Sequence, residues 1–200
     1  SGFVRSGLGF GGAVLSLPFL LLIDNRPLVY LPLIAGHLLF FSSTIFVGQY
    51  LQAKKSQREK NYNKQSSVDW AYLKHALSIM IIPKLVGVFG LLTLPNALMG
   101  KIIFAIVIAY ALSYILNKPF SSSNRKLDAL FLILGGYISG TSLIGAPLII
   151  AVFAAHVAQA QLRGTLFALW FILVTIKMLA FVYAGVDLQL IHHLWLLPCA

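Results

Sequence analysis

Two lysines lie inside apolar segments of this 200-residue chain, where a charged side chain is costly and usually functional. Lys177 lies in FILVTIKMLAFVY, and Lys84 follows Pro83 in SIMIIPKLVGVFG. A lysine near a segment end reaches the membrane surface with its long side chain, but Lys177 lies too far inside to do so easily. Lys177 is therefore predicted to be a buried cation that attracts an anion. For Lys84, a place facing the substrate and an interfacial place both stay open.

Two glycine-rich motifs could bind the same anion through the backbone. RSGLGFGGA occupies 5–13 and GGYISGTSLIGAP occupies 135–147, and their glycines, hydroxyls and proline discourage a continuous helix. Where a helix restarts after Gly12 or Gly145, its free N–H groups and positive dipole end favour an anion. Hydroxyl donors at the same level are Ser6, Ser139, Thr141 and Ser142. The alternative is that these glycines only allow helices to pack closely.

The two motifs are related by one spacing. Ser6 precedes Ser139 by 133 residues, and Gly12 precedes Gly145 by the same number. An apolar stretch, a short polar link and a long apolar segment follow each motif. This pattern predicts two homologous repeats, each with a glycine-rich broken or re-entrant helix at a transport site. If each break lies inside a helix that crosses the membrane, the two repeats are parallel. If each break is the tip of a re-entrant hairpin, the two repeats are inverted.

The elements that must position these residues are apolar segments joined by short polar links. Hydrophobic residues make up 59% of the chain and charged residues 10%, against about 25% charged in soluble domains. This composition excludes a water-soluble core, and the unbroken runs exclude the alternating strands of a membrane barrel. Since about 20 apolar residues span a bilayer as a helix, about seven crossings fit. The segments lie at about 7–23, 28–51, 69–92, 97–117, 127–157, 162–184 and from 188 onward.

The fold class is therefore an all-α integral membrane protein with about seven transmembrane helices. We expect one transporter domain over 1–200, with the first repeat at about 1–117 and the second at about 118–200. Ser1 is not an initiator methionine, and the final apolar run is short. Both features predict that the natural protein is longer at each end.

The net charge of +10 reflects cations that lie mostly in short links, so they indicate topology rather than nucleic-acid binding. The long basic loop 52–67 is predicted to be cytoplasmic, together with the link at 117–124. Alternation then places 156–163 outside and 185–193 in the cytoplasm. A single cysteine, Cys199, excludes a disulfide framework and a cysteine-based metal site.

The remaining polar residues leave more than one interpretation open. Asp24, Asp69, Asp128 and Asp187 lie at segment ends, which argues against an intramembrane carboxylate relay and a cation substrate. Arg163, in the sequence RGT, either binds the anion or anchors its segment at the interface. His37 and His156 could carry protons, although a lone histidine is more often simply hydrogen-bonded.

The motifs together resemble those of the sulfite exporter TauE/SafE family of bacterial membrane proteins. The resemblance covers nearly the whole chain, and it rests on SGLGFGGAVLSLP at 6–18, SGTSLIGAP at 139–147, PKLVGVFG at 83–90 and RGT at 163–165. Family members usually carry a GGG or GGGP run where this chain reads GFGGA and LIGAP. The resemblance implies binding elements at Gly9, Gly11 and Gly12 in the first copy and at Ser142, Gly145 and Pro147 in the second.

The resulting expectation is a secondary transporter of small anions in the bacterial inner membrane. The resemblance implies sulfur-containing oxyanions or organosulfonates as substrates, with export as the direction. We expect no enzyme activity, cofactor, metal or nucleic-acid partner, and coupling to protons or another ion and oligomerisation stay open. The alternatives are an anion channel, an intramembrane enzyme or an accessory subunit of a larger membrane complex. The candidate substrate-binding residues are Ser6, Gly7, Gly9, Gly11, Gly12, Lys84, Ser139, Gly140, Thr141, Ser142, Gly145, Pro147, Arg163 and Lys177.

Overall fold

The computed structural model describes residues 12–58, 68–116, 120 and 124–188. Over these residues all regular secondary structure is helical, as the sequence predicts. Four helices, α2, α3, α4 and α7, are long and apolar enough to cross a membrane. The count of about seven crossings and the repeats stay predictions. The helices are α1 (Gly12–Ile23), α2 (Pro27–Arg58), α3 (Trp70–Thr93), α4 (Asn96–Ile115), α5 (Arg125–Ser142), α6 (Ala146–His156) and α7 (Gln159–Tyr183).

Helix boundaries follow local chemistry at several positions. The Asp69 carboxylate accepts a hydrogen bond from the Tyr72 backbone N–H at 3.0 Å and caps α3. The Asn124 side chain accepts from the Lys126 N–H at 3.4 Å at the start of α5. Pro147 lies in the first turn of α6, where its missing N–H has no intrahelical role. These residues define the starts of α3, α5 and α6.

The predicted segment at 127–157 is two antiparallel helices joined by a three-residue break. The Asp128 carboxylate contacts the His156 ring at 2.8 Å, and at the other end of the pair the Gly145 backbone lies against Ser139. Between these contacts Ile149 packs beside Gly135. All three pairs are centred on residue 142, so α5 and α6 form a helical hairpin. The predicted interruption is confirmed, and its position is 143–145.

The hairpin overturns the predicted sidedness of two links. One end of the bundle, named here the basic end, contains the starts of α3, α5 and α7 and the end of α6. At this end the Thr165 hydroxyl accepts from the Asp69 N–H at 2.9 Å, and Asp128 contacts His156. The link at 156–163 therefore lies with the link before α5, not opposite to it. The assumption that successive links lie on alternating sides failed because it counted the hairpin as one crossing.

The opposite end, named here the far end, contains the ends of α1, α3 and α7 and the start of α4. Asn25, just after α1, lies against Gly100 in α4, and Phe181 near the end of α7 shares an apolar cluster with Leu91 and Met99. Gly185 follows α7 and so lies at this end. The prediction that 185–193 lies with the basic loops is wrong for the part of that link that the structure describes.

Two helix pairs dominate the packing, α3 against α5 and α2 against α7. Their side chains form two apolar clusters. One cluster, toward the far end, includes Leu17, Leu91 and Ile144, and the other, toward the basic end, includes Met80, Leu132 and Ile149. The break at 143–145 contributes Ile144 to the far-end cluster.

Candidate functional site

Both interior lysines reach the last turns of α5, just before the break. The Lys84 Nζ donates to the Ser139 Oγ at 3.1 Å and approaches the Ser139 carbonyl at 3.5 Å. The Lys177 Nζ donates to the Thr141 carbonyl at 3.2 Å and lies 5.6 Å from the centre of the Phe181 ring. Each lysine has 0% of its surface exposed. The structure therefore places Lys84 in the interior rather than at the interface, which had been left open.

Both lysines donate to uncharged oxygens of the backbone and of a hydroxyl group. The nature of these acceptors determines which further ligands the ammonium groups can bind. The C-terminal carbonyls of a helix carry partial negative charge, which favours a nearby cation. An ammonium group has three N–H donors, so Lys177 retains donor capacity beyond its bond to Thr141. Among the described residues, no carboxylate lies within 4.0 Å of either ammonium group. An anion would satisfy both the charge and the remaining donors.

The break itself puts the beginning of a helix beside these cations. Leu143 closes α5 in the left-handed region with a φ of 62°, and α6 then begins after Gly145. The left-handed residue is thus a leucine rather than one of the glycines. Backbone N–H groups in the first turn of α6 lack intrahelical partners and form the positive end of its dipole. The site combines lysine ammonium groups with a helix start, and both favour a negative ligand.

Three predicted hydroxyl donors have different roles in the structure. Thr141 and Ser142 donate to the Ile138 carbonyl at 3.1 and 3.0 Å, within their own helix. Their protons therefore do not point into the break, and the prediction that they donate there is wrong in this conformation, because a hydroxyl in a helix readily bonds a carbonyl one turn back. Ser139 differs, since its hydroxyl oxygen accepts from Lys84 and its O–H can still donate.

The glycines of the second motif serve close packing, which was the alternative interpretation. A Cβ on Gly140 would lie 3.0 Å from the Gly87 Cα, and one on Gly136 would lie 2.7 Å from the Met80 carbonyl oxygen. A Cβ on Gly145 would meet the Gly135 carbonyl and lie 3.1 Å from the Ser139 N. Gly140 therefore lets α3 approach α5, and Gly145 lets the hairpin arms close. This approach brings Lys84 into reach of Ser139.

The structure does not bring every candidate to this place. Arg163 is exposed in the first turn of α7, with its guanidinium 5.7 Å from the centre of the Phe167 ring. It precedes Lys177 by 14 residues on the same helix, or about 21 Å along the axis. Arg163 therefore lies at the basic end, apart from the break. Gly12 begins α1, and Ser6, Gly7, Gly9 and Gly11 lie outside the described residues.

A second polar cluster was missed by sequence reasoning. Asp128 and His156 meet at 2.8 Å at the basic end, where Tyr72 and His75 line the same cavity of about 620 Å³. Asp128 looked like an ordinary segment end, and His156 looked like a lone histidine. The signal in the sequence is that the pair brackets the glycine motif symmetrically around residue 142, as a hairpin requires.

Comparison of the chain with known protein families, curated proteins and solved structures gives no match. Within the part of the chain that the structure describes, no group of three or more histidine, cysteine or acidic side chains is arranged to hold a metal ion.

Proposed function

We propose that this protein is a secondary transporter that moves small anions across the bacterial inner membrane. The observation that carries the proposal is that Lys84 and Lys177, both fully buried, donate to neighbouring residues of one helix turn beside a helix break. A buried lysine is unfavourable without a partner, and an anion at the break would offset the cost for both. The four apolar helices support the membrane location.

The helix boundaries support an arrangement of inverted repeats. α1 ends at Ile23 and α6 ends at His156, so the two helix ends differ by the 133 residues that relate the motifs. α1 ends at the far end, whereas α6 ends at the basic end, so the two helices run in opposite directions. Paired half-length helices of opposite direction are typical of carriers with a site near the bilayer midplane.

The substrate class is proposed from the resemblance to the TauE/SafE family. That resemblance favours sulfite and organosulfonates such as sulfoacetate, and export as the direction. The geometry contributes the sign of the charge, because lysine ammonium groups and a helix start both select anions. The cytoplasmic location of the basic end is proposed from the positive-inside rule.

The experiment is uptake of sulfite and sulfoacetate into proteoliposomes containing the purified protein. Lys177→Met removes an ammonium group, and Gly145→Leu forces a side chain against the backbone of the opposite arm. Lys101→Met is the matched control, because Lys101 is exposed on α4. We expect both site variants to insert normally and lose flux while the control retains it. Unchanged flux in both site variants would refute the site.

Counterflow in the same vesicles separates a carrier from an anion channel. A carrier loaded with unlabelled substrate accelerates the entry of labelled substrate, because loaded sites return to the other face. A channel gives no such exchange and conducts continuously. Acceleration supports a carrier, and conduction without exchange supports the channel alternative.

A further inference from the structure

The cavity at the basic end is separate from the lysine site. It holds about 620 Å³ and lies between the beginning of α3, the beginning of α5 and the end of α6. Ile79 and Leu132 are apolar lining residues, and they pack with Met80 and Ile149 in the buried apolar cluster toward the basic end. The lining residues are Tyr72, His75, Ile79, Asn124, Arg125, Asp128, Ala129, Leu132, Ala155 and His156.

The central contact in this cavity joins the two arms of the hairpin. The His156 Nε2 lies 2.8 Å from the Asp128 Oδ2, and the exposed fractions of the two side chains are 43% and 14%. The imidazole is thus open to water, while the carboxylate beside it is largely sheltered. Imidazole is the side chain that gains and loses a proton between pH 5 and 8. Water can therefore deliver a proton to a group that already has a negative partner.

Tyr72 holds the imidazole in this orientation from the neighbouring helix. The two rings stack with centroids 5.4 Å apart and an interplanar angle of 24°, and Phe153 packs edge-on against Tyr72 at 5.2 Å. An aromatic face also stabilises a cation placed over it. A protonated His156 would therefore be stabilised from α3 by Tyr72 and from α5 by Asp128.

The other charged and titratable groups around the cavity are few. His75 on α3 and Arg125 on α5 line it, and Asp69 lies just before α3. Arg125 brings positive charge to the cavity, and Asp69 brings negative charge to the beginning of α3. Among the charged side chains that the structure describes around the cavity, Asp128 is the one in hydrogen-bond contact with the His156 ring.

We propose that Asp128, His156 and Tyr72 form a proton-binding site that couples transport to the proton concentration on the basic side of the membrane. A hydronium ion gives one proton to the neutral His156 imidazole, so one O–H bond breaks, one N–H bond forms and a water molecule is left. The resulting imidazolium pairs with the Asp128 carboxylate. The inference rests on the proposed transport function, because a coupling site needs a transported anion to act on.

The hairpin provides the mechanical connection between the proton and the anion. The ion pair joins the first turn of α5 to the last turn of α6, and the opposite ends of these helices carry Ser139 and Gly145 at the lysine site. A charged hydrogen bond is stronger than a neutral one, so the proton favours the conformation in which the two arms are joined at their base. Protonation therefore favours the conformation with the two arms joined over one with the arms apart, and a coupling between two states requires such a bias.

The experiment measures sulfoacetate flux at pH 6 and pH 8 with no other gradient. We chose a sulfonate because its charge does not change in this range. Because protonation converts the contact between His156 and Asp128 into a charged hydrogen bond, we expect the wild-type rates at the two pH values to differ by about tenfold. His156→Gln and Asp128→Asn should bring that ratio close to one, and His75→Gln, a histidine in the same cavity without the carboxylate contact, should keep it.

A second measurement reads proton binding without transport. In protein labelled at histidine, the ring-carbon NMR signal that disappears in His156→Gln should shift with pH, and the shift should change in Asp128→Asn. If no substrate is transported but this titration is present, the transport proposal fails and the proton site stands. If His156→Gln keeps the wild-type pH ratio, or the signal does not titrate, the proton-binding site is refuted.

Discussion

At the scale of residues, Lys84 and Lys177 come from different helices and donate to neighbouring positions of a third. The burial of Lys177 was predicted from its apolar neighbours on both sides in sequence, whereas an interfacial place stayed open for Lys84. Their convergence was not predictable, since it depends on how closely α3 and α5 pack. The hydroxyls of Thr141 and Ser142 illustrate the same limit, because residue type predicts a donor but not which acceptor it finds.

Lys84→Met tests whether Lys84 binds an anion or only caps α5. Methionine fills similar space without burying a charge, so the melting temperature in detergent should stay the same or rise. Anion flux should fall by about tenfold or more, since one charge-assisted hydrogen bond corresponds to about 1.5–3 kcal/mol. Lys74→Met, at an exposed position of the same helix, should change neither quantity. Flux at the wild-type level combined with a lower melting temperature would assign Lys84 a purely structural role.

At the scale of elements, the glycine-rich motif was correctly predicted to interrupt a helix, but most of it stays helical. Gly135, Gly136 and Gly140 lie inside α5, because close approach to α3 and α6 requires small residues there. The break occurs one turn later, at a leucine. Composition identifies a segment that cannot be a simple span, whereas tertiary packing decides which of its residues turn.

Gly140→Ala should destabilise the protein by separating α3 from α5. The added Cβ would lie 3.0 Å from the Gly87 Cα and 3.1 Å from the Val88 N, and backbone atoms cannot move aside locally. We expect a loss of about 1–3 kcal/mol, seen as a lower melting temperature in detergent.

Gly90→Ala is the matched control for this substitution. Its Cβ would meet only the Leu94 Cδ1 at 3.8 Å, so alanine should be tolerated and should favour the helix by up to about 1 kcal/mol. Equal melting temperatures for the two variants would contradict the backbone contact between α3 and α5.

At the scale of the whole molecule, the helical membrane class followed directly from composition. The side on which each link lies could not be derived in the same way. Alternation works only when every apolar segment crosses once. The hairpin enters and leaves at the same end, so every assignment after it is reversed. The contact between Asp128 and His156 is the observation that corrects the topology.

Cysteine labelling in cells tests this topology directly. Cys199 is the only cysteine of the chain, so Cys199→Ser provides a clean background. Lys126→Cys and Ala155→Cys place thiols at exposed positions of the basic end, and Leu98→Cys places one at the far end. A membrane-impermeant maleimide should label only Leu98→Cys in intact cells and only the other two in inverted vesicles. Labelling of the two basic-end cysteines from opposite sides would refute the hairpin.

The short length of α6 has a consequence for how membrane voltage acts on transport. Its 11 residues extend about 16 Å, roughly half of a hydrocarbon core about 30 Å thick. A monovalent anion bound at the start of α6 therefore lies near half the electrical distance across the membrane. Moving one charge across 100 mV corresponds to about 2.3 kcal/mol. Moving the anion across each half of the membrane at that voltage therefore corresponds to about 1.2 kcal/mol of electrical energy. For the proposed export, a cytoplasm held negative would drive the anion outward in two similar steps, loading from inside and release outside.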